Sequence, residues 1–302
     1  MSPQKQVTPH IRVGDPFAIS TQEKYIAEAM RRTGEAGARG HMYGSAAAFC
    51  PRANYLYAHL TTISTETTPE SVLYMKIGDG IESAIAEGLA AKGKLLFSNL
   101  RVPETRPSIG GKIDLVYLDE DEKLVIGEVK SCGRLPTQPK FSHMQQLLTY
   151  LAIGGYKRGY LIYISRNVQA RGRLAIKIFE ADVSEKSMFR ILKKICFTQL
   201  AIDAKIMPGI PADFSKDGEC GYCTFKSECW EEAGEFVGSH VQMSSTQRSE
   251  ILEQADAWAK ELLESRPKRY VLSLRILMHE IGSSSKTQLT ALIKELEQYE
   301  AL

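Results

Sequence analysis

The sequence predicts an α/β fold built on a mixed sheet with helices on its flanks, and three observations carry the prediction. Residues 112–118 and 124–131 alternate around the polar connector Asp119-Glu120-Asp121-Glu122-Lys123, the pattern of a hairpin. Segments of helical period bracket that hairpin, Glu70 to Ala91 before it and Ser142 to Ile153 after it. Two more alternating stretches follow, Arg158 to Ser165 and Arg173 to Ala181.

Each element has its own signal. Residues 1 to about 18 carry Pro3, Pro9, Gly14 and Pro16 and read as a tail. Ser20 to Arg32 is helical in pattern, and Gly34 to Gly40 breaks it. Ser45 caps a short helix running through Cys50 and Tyr57, and Thr61 to Thr68 is a Thr/Ser-rich loop. Gly93 stops the long helix, and Leu95 to Val102 is a strand. Gly154-Gly155 stops the helix after the hairpin. Ser184 to Asp203 is a further helix, and Pro208 to Gly218 links it to a group of cysteines. From Ser244 onward the pattern is helical in three segments, with breaks near Pro267 and Gly282-Ser283-Ser284-Ser285. The expected organisation is a tail over 1–18, a core over 19–238 and a helical C-terminal region over 239–302.

With 302 residues, 43% hydrophobic and 25% charged, the chain can bury a sizeable core. Its net charge of +2 is nearly neutral, so a nucleic-acid face would come from local clustering of cations. No apolar run reaches the length of a membrane span, and Met1 to Asp15 lacks an apolar signal core. A cytoplasmic location is expected, with the six cysteines reduced unless they hold a metal.

The hairpin carries the chemistry. If Leu118 pairs with Leu124, Asp114 falls opposite Glu128. Strand alternation then puts Lys130 on the face of Glu128. Ile113, Leu115, Val116, Val125, Ile126 and Val129 surround these charges, which therefore need partners or a metal. Hard divalent cations favour oxygen ligands, and Asp114, Glu128 and the Val129 carbonyl would supply them. Such a cation neutralises a phosphate and activates a water, while Lys130 orients the water or stabilises the developing charge. The plain alternative is an exposed Glu128–Lys130 ion pair. Glu82, with Met75, Gly78, Ile85 and Leu89 as angular neighbours, is either a third acid or a side chain snorkelling from the edge of its helix. His143, Gln146 and Tyr150 share one helix face, where Gln146 and Tyr150 would position the strand or the water.

Cys220-Gly-Tyr-Cys223 and Cys229 cluster in sequence, and Cys50 in Ala48-Phe49-Cys50-Pro51-Arg52 is the fourth candidate. Four thiolates suit Zn²⁺ or a [4Fe-4S] cluster. Cys132 and Cys196 lack partners at ligand spacing.

The order Gly78-x₃-Glu82, Gly111-x₂-Asp114, Glu128-x-Lys130, Gln146-x₃-Tyr150 resembles the PD-(D/E)XK nucleases, in particular the RecB-like branch. One distant cysteine with C-x₂-C-x₅-C is similar to the iron–sulfur members of that branch, the AddB nuclease domain and the CRISPR-adaptation exonucleases. The resemblance covers residues 43 to 232. It implies a restriction-endonuclease-like core, with metal ligation by Asp114 and Glu128 and catalysis by Lys130, supported by Gln146 and Tyr150. Glu82 stands where many members place a histidine. Implied cofactors are Mg²⁺ or Mn²⁺ and a structural [4Fe-4S] cluster on Cys50, Cys220, Cys223 and Cys229. The implied function is a DNA exonuclease of 5′→3′ polarity, working with recombination, replication or CRISPR-adaptation proteins. A non-catalytic DNA-end-binding subunit and a zinc-stabilised endonuclease are the other readings. Arg52, Arg101, Arg106, Lys112, Arg134 and Lys140 are candidate phosphate contacts. Tyr43, Tyr55 and Tyr57 either stack on bases or pack in the core.

Overall fold

In chain order the elements are β1 (Gly34–Ala36), β2 (Met42–Tyr43), α1 (Gly44–Ala47), α2 (Pro51–His59), β3 (Ile63–Thr65), α3 (Pro69–Ala91), β4 (Leu95–Arg101), β5 (Ile109–Gly110) and β6 (Lys112–Leu118). There follow β7 (Leu124–Cys132), α4 (Phe141–Gly154), β8 (Arg158–Val168), β9 (Leu174–Asp182), α5 (Glu185–Asp203), α6 (Lys226–Trp230), α7 (Ser245–Glu264) and α8 (Arg266–Glu280). The computed structural model describes residues 24, 34–36, 42–59, 63–65, 68–102, 106–168, 174–221, 223–230, 241–280 and 290. The helix expected over Ser20 to Arg32, apart from residue 24, and the last of the three C-terminal segments, apart from residue 290, lie outside the described residues.

One five-stranded sheet runs in the order β4-β6-β7-β8-β9. The mixed α/β class read from the sequence is the observed one. β6 and β7 pair antiparallel with Leu118 opposite Leu124, the expected register. Asp119 sets their turn: its Oδ1 accepts the Asp121 and Lys123 N–H groups, each at 2.9 Å. β7 and β8 run parallel, which requires a crossover, and α4 supplies it.

Helices cover both faces. On one, Ala86 of α3, with Ile81, Ile85 and Leu89, packs on Leu115, Ile162 and Ile164. On the other, Leu147 and Leu151 of α4 and Leu192 and Ile195 of α5 bury Val116, Ile126, Leu161 and Tyr163. Ile251, Ala255 and Ala259 of α7 join this same core. Arg269 of α8 donates to the carbonyls of Ala152 at 2.9 Å and Ile153 at 3.2 Å, satisfying the C-terminal end of α4.

Helix ends follow local chemistry. Thr68 caps α3 by accepting the Ser71 N–H, and Pro69 occupies its first turn. Ser184 caps α5, and Ser244 with Gln247 forms a capping box on α7. Gly155, at φ 74°, ends α4 in the left-handed conformation.

Two expectations needed revision. The helix expected from Ser45 through Tyr57 is two helices, because the residue before Pro51 is disfavoured in the α region. The break falls at Ala48 to Cys50, so Cys50 sits in the joint. Residues 63–65, expected in a loop, pair with residues 34–36 as a small antiparallel ribbon. The break expected near Pro267 is present at Ser265, and proline is tolerated in the first turn of α8.

Candidate active site

The hairpin register continues from Leu115 opposite Gly127 to bring Asp114 beside Glu128. Asp114 Oδ2 accepts the Val129 N–H at 2.7 Å, which locks the two strands at this point. Glu128 is 1% exposed. Its Oε1 accepts from Lys130 Nζ at 2.5 Å, and its Oε2 is buried with no hydrogen-bond partner. The ammonium of Lys130 also donates to Gln146 Oε1 at 3.1 Å. The alternative of a surface ion pair is thus excluded by burial.

Glu82 of α3 reaches the same region. Its Oε1 accepts from Asn99 Nδ2 at 2.6 Å. Burial raises its pKa, and the nearby Asp114 charge raises it further. Burial also raises Asp114, against the Val129 N–H and the Lys130 charge. Glu128 is pushed up to about 8 by burial, opposed by Lys130 and reinforced by Asp114 and Glu82. Three carboxylates that each resist ionisation, within electrostatic reach of one another, suit a cation. Among the described residues, three or more His, Cys, Asp or Glu side chains do not meet as a ready-made ion cage. Asn99 holds Glu82 and Lys130 holds Glu128, so the acids share a region more than a point. The unpaired, buried Glu128 Oε2 and the half-buried Asp114 fit a hard divalent ion.

The α4 face forms the wall beside this centre. Gln146 Nε2 lies 3.5 Å from the Tyr150 hydroxyl, which it meets as a donor. Tyr150 fits because two glycines make room for its ring. A Cβ on Gly44 would lie 2.3 Å from Tyr150 Cε1, and one on Gly111 would lie 2.7 Å from its hydroxyl oxygen. Gly44→Ala is expected to cost about 2 kcal/mol by overpacking. Gly88→Ala, on exposed α3 with nothing within 4 Å of the new Cβ, is expected to stabilise by about 0.5–1 kcal/mol. Urea unfolding of both variants checks the pair.

The cysteines gather at a second apolar cluster. Cys50, Cys223 and Cys229 pack against Ala53, Tyr55, Leu56, Met207 and Phe225. Cys220 is buried, and its charge bears on both Cys223 and Cys229. Burial raises all three partly buried thiols, Cys50 to about 11. Arg52, 7% exposed, hydrogen-bonds Cys229 and donates to the Pro208 carbonyl at 3.2 Å, and its Nε is buried without a partner. Among the described residues these thiols do not meet as a ready-made metal site, and the Arg52 guanidinium bonds Cys229.

Arg52 is therefore no phosphate contact, contrary to expectation, because it is buried with the thiols. Tyr55 is 1% exposed and its ring packs at a tilt against His59, so it is a core residue. Tyr57 donates its hydroxyl to Thr224 Oγ1 at 3.1 Å beside the cysteines. Arg101, Arg106, Lys112, Arg134 and Lys140 are exposed, as is Tyr43. Cys196 is buried in the main core, and Cys132 lies 3.6 Å from the Ile164 carbonyl. Asn99 is the site residue that sequence reasoning missed. Its signal is a polar residue tolerant of positive φ inside an apolar strand, and its φ is 57°.

A family model described as the PD-(D/E)XK nuclease superfamily matches residues 18–230. A solved structure titled "Crystal structure of SSO0001" is similar over 73% of this chain and 98% of its own, at 18% sequence identity and a TM-score of 0.43. No curated protein matches the sequence significantly. No helix among the described residues is long and apolar enough to cross a membrane.

Proposed function

Because the chain belongs to the PD-(D/E)XK nuclease superfamily, we propose that it is a metal-dependent exonuclease that processes single-stranded DNA or DNA ends. One observation carries the catalytic reading: a buried carboxylate, Glu128, that faces Lys130 with one oxygen and leaves the other unpaired. Such an arrangement is expensive in a structural ion pair. It suits a phosphodiester-cleaving centre, in which the unpaired oxygen would hold a metal ion.

Asp114 and Glu128 would hold Mg²⁺ or Mn²⁺, with Glu82 and the Val129 carbonyl completing the oxygen set. When bound, the cation neutralises the phosphate and lowers the pKa of a water. Lys130 then has two tasks. Its ammonium, fixed between Glu128 and Gln146, orients the attacking water and meets the negative charge that grows on the phosphate. Gln146, anchored by Lys130 and Tyr150, keeps that ammonium from swinging toward solvent.

A structural [4Fe-4S] cluster on Cys50, Cys220, Cys223 and Cys229 belongs to the same reading, and the resemblance to iron–sulfur RecB-like exonucleases supports it. Recombination, replication or CRISPR adaptation would be the setting.

Single-stranded DNA labelled at either end, with Mg²⁺ or Mn²⁺, tests the proposal. Mononucleotides released from one labelled end first support exonuclease action and report its polarity. Internal fragments would point to an endonuclease, and no metal-dependent degradation would overturn the reading. Asn99→Ala is expected to raise the Mn²⁺ concentration for half-maximal cleavage about threefold to tenfold, since Glu82 loses the donor that places it. A titration of rate against Mn²⁺ gives the shift.

A further inference from the structure

His143 lies outside the centre just described, yet it is built into its wall. It sits on α4 one turn before Gln146, partly buried, with Tyr163, Lys130 and Lys140 as the titratable groups around it. Tyr163 is 0% exposed and is the register partner of Lys130 on the neighbouring strand.

Tyr163 fixes the tautomer of the imidazole. Its oxygen accepts the Lys140 N–H at 3.0 Å. A hydroxyl has one proton of its own to give, and a buried one needs an acceptor. His143 Nδ1, 2.9 Å away, is that acceptor. The ring proton is therefore on Nε2. Burial first, and then the charges of Lys130 and Lys140, push the imidazole down to about 4, so the ring stays neutral at neutral pH. A neutral ring with its proton on Nε2 is a fixed donor. It cannot take a proton from water at that atom, but it suits an anionic oxygen.

We propose that His143 grips a phosphate oxygen of the bound DNA strand through its Nε2–H, beside the phosphate being cleaved, and that Tyr163 is the positioning residue that keeps it a donor. The inference rests on the nuclease reading above. The exposed side chain of Lys140, next along the same wall, would draw the strand to this place.

Fluorescence anisotropy of a labelled single-stranded oligonucleotide, with the full chain and Ca²⁺ in place of the cleavage-supporting ion, tests it. His143→Ala is expected to weaken binding about tenfold, whereas His143→Gln, which keeps an N–H donor, stays within about threefold of wild type. Tyr163→Phe is expected to fall between them. Binding by His143→Ala equal to wild type overturns the inference. So does a His143→Gln protein that melts like wild type and binds as weakly as the alanine variant. Wild-type binding that strengthens as pH falls to about 6, with the dependence lost in His143→Ala, overturns the neutral donor in favour of an imidazolium. If His143→Ala does not fold, His143→Gln and Tyr163→Phe decide. If Lys130→Ala abolishes cleavage while His143→Ala binds normally, the nuclease reading stands and this inference alone falls. If the wild type neither binds nor cleaves DNA, both fall.

Discussion

Lys130→Ala is expected to lower the rate of DNA cleavage by roughly 10³-fold. Two losses combine. The ammonium that faces the reacting phosphate disappears, and Glu128 is left buried at 1% exposure with no cation beside it. Burial already raises Glu128 to about 8 with Lys130 present. Removing the lysine moves it higher still, so the carboxylate is protonated and becomes a poorer ligand. Lys130→Arg keeps the charge but not the compact ammonium between Glu128 and Gln146, and it is expected to recover little activity. Single-turnover cleavage beside anisotropy separates the chemical step from binding. Equal rates for wild type and Lys130→Ala would remove Lys130 from the centre.

Cys50→Ser is expected to strip iron from the purified protein and to lower its melting temperature by about 10 °C or more. The metal would tie position 50 to positions 220, 223 and 229, closing a long loop around the sheet. Holding so long a loop shut is worth on the order of 5 kcal/mol in chain entropy. Cys132→Ser, away from the thiol cluster, is the control and should leave both iron and melting temperature unchanged. Anaerobic purification gives the readout, broad visible absorbance with iron and acid-labile sulfide. A colourless wild type holding zinc would replace the cluster with a zinc centre. A Cys50→Ser protein with full metal content would remove Cys50 from the ligand set.

The hairpin was legible because its information is local. Alternation, a polar connector and apolar neighbours determine the Leu118–Leu124 register, and that register alone brings Asp114 to Glu128. Gln146 and Tyr150 were legible for the same reason, since helical spacing places both on one face. What could not be read was contact between distant segments. Asn99 meets Glu82 only because β4 leaves the ordinary extended conformation at that residue. Arg52 looked like any cation near a nucleic-acid site until the fold closed it in with Cys229 and Pro208. Tyr163 gave no chemical signal at all, since its part depends on parallel pairing with Lys130 and on a hydroxyl hidden under α4.

Tyr150 occupies space left by Gly44, in the segment that leads to Cys50, and by Gly111, just ahead of Asp114. The thiol arm and the acid strand therefore close on one aromatic ring. If the joint before α2 shifted, the space that Gly44 leaves for that ring would change, and with it the anchor of Gln146. A disturbance around Cys50 would then reach the acid strand without touching a carboxylate.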